Sequence, residues 1–255
     1  MISNFLEILI LSIVQGISEF LPVSSSAHLF LISEIYKFKS QSLLIDVGLH
    51  LGSLLAIIFY FRNELKEIVN NKNLFFLMVL GSLPLIILGA IIYKTGLINY
   101  FRNIEVIAWT TLIFALLLYI ADKFENKKKI ESDLQLKSIL IIGLFQILAL
   151  IPGVSRSGIV ITAGRFLNFS RYDSTKISFY LSIPAISGAS FLSLRSLVDK
   201  NIDLNLIVLV SILLSFIFSY LTIKYFLIFI KKFTLNTFVI YRIILSAILF
   251  LIIYI

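Results

Sequence analysis

Hydrophobic positions come in long runs along most of this 255-residue chain. Runs at 47–61, 74–93, 104–121, 177–194, 204–230 and 238–255 carry almost no charged side chains. A membrane crossing takes roughly 20 apolar residues, so each run predicts a helix that spans, or nearly spans, a bilayer. Two further stretches, 2–36 and 138–169, are apolar overall but interrupted near the centre by Pro, Gly and Ser. Non-helical backbone at membrane depth is tolerated only against protein or a wet cavity. Both are therefore expected to fold back as re-entrant hairpins. The longest polar stretch, 122–137, reads as a linker and not as a soluble domain.

That linker divides the chain into two similar halves, about 1–122 and 137–255, joined by basic residues 123–136. A shift of 131 residues lays Gln15 on Gln146, Val23 on Val154, Ser24 on Ser155, Ser26 on Ser157 and Ala27 on Gly158. The coincidences fall on the unusual residues, not on interchangeable Leu and Ile. Each half then reads as one broken segment followed by three spans. The fold expected is all-α, a single integral membrane domain of six transmembrane helices plus two re-entrant helical hairpins in inverted-topology repeats. Duplicated halves of this kind place their sites near the midplane, at the repeat interface.

Composition agrees. The chain is 59% hydrophobic and 14% charged, with a mean hydropathy of +1.02; ordinary globular chains run about 45–50% apolar and about 25% charged. The net charge of +8 does not point to nucleic acid, because the basic residues sit in short loops, where topology signals lie. Cysteine is absent, which excludes disulfides and thiolate chemistry. The first apolar run lacks a basic leader and a small-residue cleavage site, so it is expected to belong to the mature fold.

The loops with Arg62, Lys66 and Lys72, with Lys123, Lys127, Lys128, Lys129 and Lys137, and with Lys231, Lys232 and Arg242 are richer in positive charge than those with Lys94 and Arg102 or Arg195 and Lys200. Placing the richer loops in the cytoplasm makes the two halves oppositely oriented. The first broken segment then enters from outside and the second from inside. Their tips would meet within the membrane, with Glu19, Ser25 and His28 near Ser155, Arg156 and Ser157.

Charge at membrane depth costs on the order of 2.5–3.5 kcal/mol on insertion scales, so it marks function by default. The first break follows Pro22 with Ser24, Ser25 and Ser26; the second follows Pro152 and Gly153 with Ser155, Arg156, Ser157 and Gly158. Serine caps helix starts, and free backbone N–H groups there bind anions. With the forked guanidinium of Arg156, these residues describe a phosphate cradle. Glu19 and His28 add groups able to move protons or attack phosphorus. Each also has a structural reading: serines bonding back to the chain, Arg156 snorkelling to an interface, His28 packing, Glu19 simply pairing with Arg156. Gln15, Asp46 and His50 read as supporting residues. The stretch 170–174 reads as an interfacial turn, and Pro84 and Pro184 as kinks.

The run Gln15-Gly16-Ile17-Ser18-Glu19-Phe20-Leu21-Pro22-Val23-Ser24-Ser25-Ser26-Ala27-His28 and the run Pro152-Gly153-Val154-Ser155-Arg156-Ser157-Gly158 resemble the two signatures of undecaprenyl-diphosphate phosphatases, the bacterial membrane enzymes associated with bacitracin resistance. The resemblance extends to residues 46–53, to Ser170-Arg171-Tyr172 and to Tyr241-Arg242. It implies hydrolysis of a C55 polyprenyl diphosphate to the monophosphate and phosphate in the bacterial inner membrane, for reuse in cell-wall synthesis. It also implies an active site open to the periplasmic side and support by a divalent cation, Mg²⁺ or Ca²⁺; Glu19 would orient or deprotonate the attacking group, or hold the cation as a metal contact. Glu19, Ser25, His28 and Arg156 would be the catalytic set. The implied partners are the lipid substrate and the bilayer, with a homodimer as an option. The first signature often begins with Glu where this chain has Gln15, which cannot titrate. Glu19 is then the one motif carboxylate, unless Asp46 contributes. The nucleophile stays open between His28, Ser25 and water. The rival reading is a transporter of a lipid phosphate or small anion, which needs Arg156 and the serines but not His28 with Glu19.

Overall fold

The computed structural model describes residues 2–36, 42–97, 101, 103–195 and 206–254; the side chains of 2–4, 26, 30, 33–36 and 195 lie outside the description. Ser26 as a phosphate ligand, and the loop charges Arg102, Arg195 and Lys200, therefore fall outside the described side chains.

The elements run α1 (Ile2–Ser18), α2 (Ser25–Tyr36), α3 (Leu43–Tyr60), α4 (Arg62–Asn70), α5 (Lys72–Thr95), α6 (Ile104–Asp122), the one-turn α7 (Ile130–Asp133), α8 (Leu136–Ile147) with a 3-10 turn at Leu148–Leu150, α9 (Arg156–Phe166), α10 (Arg171–Arg195), α11 (Leu206–Lys232) and α12 (Asn236–Tyr254). Among the described residues six helices, α3, α5, α6, α10, α11 and α12, are long and apolar enough to cross a membrane. The one strand-like pairing there is an isolated bridge between Lys128 and Phe169.

Several spans begin earlier than their apolar runs, because a polar cap and first turn precede the lipid-facing part. Ser42 Oγ accepts from Ile45 N at 3.3 Å, Asn71 Oδ1 from Leu74 N at 3.2 Å and Asn103 Oδ1 from Val106 N at 2.8 Å, satisfying N–H groups that a helix start leaves open. The 170–174 stretch is likewise a helix start: Ser170 Oγ accepts from Asp173 N at 3.0 Å at the head of α10. The basic stretch after α3 is itself helical, as α4. Pro84 and Pro184 lie inside continuous helices.

Close helix crossings use small residues. A Cβ on Gly52 of α3 would sit 2.4 Å from the Ile212 carbonyl of α11, and one on Gly143 of α8 would sit 2.5 Å from the Gly81 carbonyl of α5. At the α3–α11 crossing Ser53, Ser215 and Ser219 form a buried hydroxyl ladder at 3.2 and 2.9 Å. This is how helices associate where burial of apolar surface gives little between them in lipid. Under the 131-residue shift α1 corresponds to α8 and α11 to α5, and α1 packs on α11 as α8 packs on α5. Ser25, the start of α2, falls on Arg156, the start of α9.

One end of the bundle gathers the basic segments. Arg165 is fully buried and donates to the Phe169 carbonyl at 2.5 Å, to that of Glu125 at 3.2 Å and to that of Phe124. Asp122 accepts from Arg171 Nε at 2.6 Å and from Leu235 N at 3.1 Å, tying α6, α10 and the start of α12. Glu64 of α4 accepts from Tyr180 at 2.5 Å and pairs with Lys176 at 2.9 Å. Arg242 departs from expectation. It is not a loop charge but a fully buried side chain of α12, donating to the carbonyls of Gly153 and Val154 at 2.9 and 3.1 Å. Those carbonyls are freed by the break in the second half, and a guanidinium is what satisfies them.

Candidate active site

The two chain breaks build the site. α1 ends at Ser18, the chain turns through 19–23, and α2 starts at Ser25. The second break runs from the 3-10 turn to Ser155, and α9 starts at Arg156. Ser24 and Ser155 occupy equivalent places and share a positive φ, 74° and 72°. For a residue with a Cβ this region is sparsely populated and costs on the order of 1–3 kcal/mol. Thr110 of α6 braces the second break by donating to the Pro152 carbonyl at 2.7 Å. Ser155 Oγ caps α9, accepting from Gly158 N at 3.1 Å. Gly158 packs closely: a Cβ there would lie 3.1 Å from Arg242 Nη1 and 3.2 Å from Ser155 Cβ, so these neighbours would have to give by a few tenths of an ångström.

The breaks touch. Ser157 Oγ donates to the Leu21 carbonyl at 2.7 Å, and Arg156 Nη2 donates to Glu19 Oε1 at 2.7 Å. The other carboxylate oxygen, Oε2, accepts from Ser25 Oγ at 2.7 Å and from Gln15 Nε2 at 3.1 Å. Gln15 Nε2 also lies 2.9 Å from His50 Nδ1, which is 3.9 Å from Glu19 Oε2. Glu19, Ser25, Arg156, Ser157, Gln15 and His50 thus form one connected cluster. Glu19 and Arg156 are nearly buried, at 6% and 13% side-chain exposure, while His50 is the open member at 35%. Among the described residues Arg156 Nη1 is buried and meets no acceptor. A permanent cation with an unspent, water-excluded donor is suited to an anion.

His28 is placed differently. Its Nδ1 meets the Ser24 carbonyl at 2.6 Å and its Nε2 the hydroxyl of Tyr241, with the two rings stacked at 5.8 Å and 13°. Its hydrogen bonds go to the first break and to α12, not to Glu19 or Arg156. Ser24, Gly153, Ser155 and Gly158 shape the two breaks. Asp46 lies one turn before His50 on α3. Tyr241 and Arg242 are site neighbours; in the sequence they carry only the family resemblance, and Arg242 counts as a loop charge. A basic residue inside the apolar run 238–255 was the available signal.

Among the described residues no three His, Cys, Asp or Glu side chains gather as a metal cage. Both oxygens of Glu19 are already engaged by N–H and O–H donors.

The chain matches the family model described as bacitracin resistance protein BacA over residues 8–248. It is 62% identical over 255 residues to the undecaprenyl-diphosphatase of Pelagibacter ubique (strain HTCC1062), covering 100% of both chains. The undecaprenyl-diphosphatase of Elusimicrobium minutum (strain Pei191) is 41% identical over 94% of this chain and 95% of its own, and that of Campylobacter curvus (strain 525.92) is 40% identical over 96% and 98%. Broken helices, a buried Glu–Arg–Ser cluster and full-length similarity lead to one conclusion: this multi-pass membrane chain belongs to the bacitracin resistance protein BacA family.

Proposed function

We propose that this protein hydrolyses undecaprenyl diphosphate to the monophosphate and inorganic phosphate. The observation that carries the reading is Arg156, held on Glu19 at 2.7 Å with a second buried donor unspent, at the contact between two helix starts. Arg156 and the amide-rich start of α9 hold the terminal phosphate and stabilise the charge that spreads over it in the transition state. Ser25 Oγ, at 2.7 Å from Glu19, has the geometry of a hydroxyl next to its base. Either it attacks the terminal phosphorus or it positions a water that does. The proton of the attacking Ser25 hydroxyl or water passes to Glu19, the bridging P–O bond breaks, and the lipid monophosphate leaves. After direct water attack the transferred group is inorganic phosphate; after attack by Ser25 a water cleaves the phosphoserine, releasing inorganic phosphate and restoring the hydroxyl. His28, bonded on both nitrogens, orients the start of α2 and fits a supporting role better than that of nucleophile.

A divalent cation would enter on the substrate's own phosphates, as Mg²⁺ commonly does, with Glu19 the nearest carboxylate. The basic end of the bundle faces the cytoplasm in this reading. The α1–α2 and α8–α9 pairs are re-entrant, from opposite faces, and the halves are inverted repeats; the shared φ of Ser24 and Ser155 supports this. His50 lies in the half of α3 remote from the basic end, so the open side of the site faces outward, in the bacterial inner membrane.

The competing reading is a carrier of a lipid phosphate or small anion. Purified protein in detergent, given a polyprenyl diphosphate, is expected to release inorganic phosphate. No release, together with anion uptake into proteoliposomes, would replace the phosphatase reading with the carrier.

A further inference from the structure

Gln15 stands between Glu19 and His50, and its amide can face them in only one way. The group 3.1 Å from Glu19 Oε2 must be the NH₂ end, because the carbonyl end would set two electron-rich oxygens against each other. The same NH₂ nitrogen lies 2.9 Å from His50 Nδ1. Its two protons therefore go to two acceptors, one a carboxylate oxygen and one a ring nitrogen. His50 Nδ1 must accept, so the ring is the neutral tautomer with its proton on Nε2. The ring is also more open, at 35% side-chain exposure, than Glu19 and Arg156 in the same cluster, at 6% and 13%.

We propose that His50 is a phosphate-binding residue of this site, donating its Nε2–H to a diphosphate oxygen of the substrate, and that Gln15 is the positioning residue that fixes this tautomer. The inference rests on the phosphatase reading and adds to it a substrate contact from α3, so that donors converge from both breaks and from a span. A neutral imidazole suits the place: it offers an N–H without adding a second cation beside the Glu19–Arg156 pair, and no proton is transferred. Gln15, unable to titrate, is then required as an amide. Its NH₂ group carries two protons, one for the carboxylate and one for the imidazole.

The chain has two histidines, so full-length protein labelled with ¹⁵N-histidine in detergent micelles gives two ring spin systems, assigned by His50→Gln. The expected result is an Nε2–H tautomer for His50, an Nε2 resonance that moves when a polyprenyl methylenebisphosphonate is added, and a mixture of tautomers in Gln15→Leu. Kinetically, His50→Leu is expected to lose about 10- to 100-fold in kcat/KM, the range of a hydrogen bond to a charged group. His50→Gln, whose amide can place N–H near the Nε2 position, should recover most of it. A His50 proton on Nδ1, or an Nε2 resonance indifferent to the bisphosphonate, overturns the proposal even if phosphate is released normally. A protein that shows the tautomer but releases no phosphate fails the function reading instead. The spectra of wild-type protein decide the tautomer even if His50→Leu does not fold.

Discussion

At the scale of single residues, the Glu19–Arg156 pair links the two halves, and its members differ in what they can lose. Arg156→Lys keeps the charge but loses the fork that reaches Glu19 and still offers Nη1. Loss of such transition-state contacts should cost at least about 2–3 kcal/mol, or roughly a hundredfold in turnover. Wild-type turnover in Arg156→Lys would remove the clamp role. Glu19→Gln keeps the shape but places an amide where Arg156, Ser25 and Gln15 all donate. A loss of about 10²–10⁴-fold is expected if Glu19 takes the proton, with Gln15→Ala milder. Run across Mg²⁺ and Ca²⁺ concentrations, the Glu19→Gln defect should persist at saturating cation; rescue by cation would make Glu19 a metal contact instead.

At the scale of elements, the breaks are strained shapes held by neighbours. Gly153 has φ of 89°, and a Cβ there would lie 2.1 Å from Thr110 Oγ1 and 2.9 Å from the Ile107 carbonyl. Gly153→Ala must push α6 away or abandon the left-handed turn. It should lower stability by about 1–3 kcal/mol, read as a drop in Tm in detergent, and lower activity by displacing Arg156. By contrast Ser155→Gly relieves the φ of 72° but removes the cap on Gly158. Its Tm should change little while activity falls, because the helix start loses its fixed direction. Equal losses in both variants would mean that strain and cap do not act separately.

For the whole molecule, orientation is the quantity that sequence charge sets and packing must respect. The natural chain has no cysteine, so single cysteines report cleanly. With the basic end in the cytoplasm, exposed Leu97 replaced by Cys should react with a membrane-impermeant thiol reagent on intact spheroplasts. Lys129→Cys, in the exposed linker, should react only after permeabilisation. The reverse pattern would invert the topology and turn the open side of the site toward the cytoplasm.

The chain alone determined the six spans, the two interruptions and the polar linker. The reason is local: apolar length and unsatisfied backbone dictate helices and breaks in lipid wherever they occur. Helix starts were equally legible at Ser25 and Arg156, because Pro, Gly and Ser act on their own neighbourhood. Only the tertiary structure decided which charges in apolar surroundings belong to the site. Nearly every face of these helices is apolar, so periodicity does not separate lipid from core. Arg242 therefore read as a loop charge until the Gly153 and Val154 carbonyls were seen against it. His28 read as a partner of Glu19, yet its ring nitrogens meet Ser24 and Tyr241, the latter 213 residues away. His50 read as a supporting residue with no stated contact; Gln15, 35 residues before it, lies 2.9 Å from its ring nitrogen. Each is a pairing between distant segments, and no spacing along the chain encodes the distance between them.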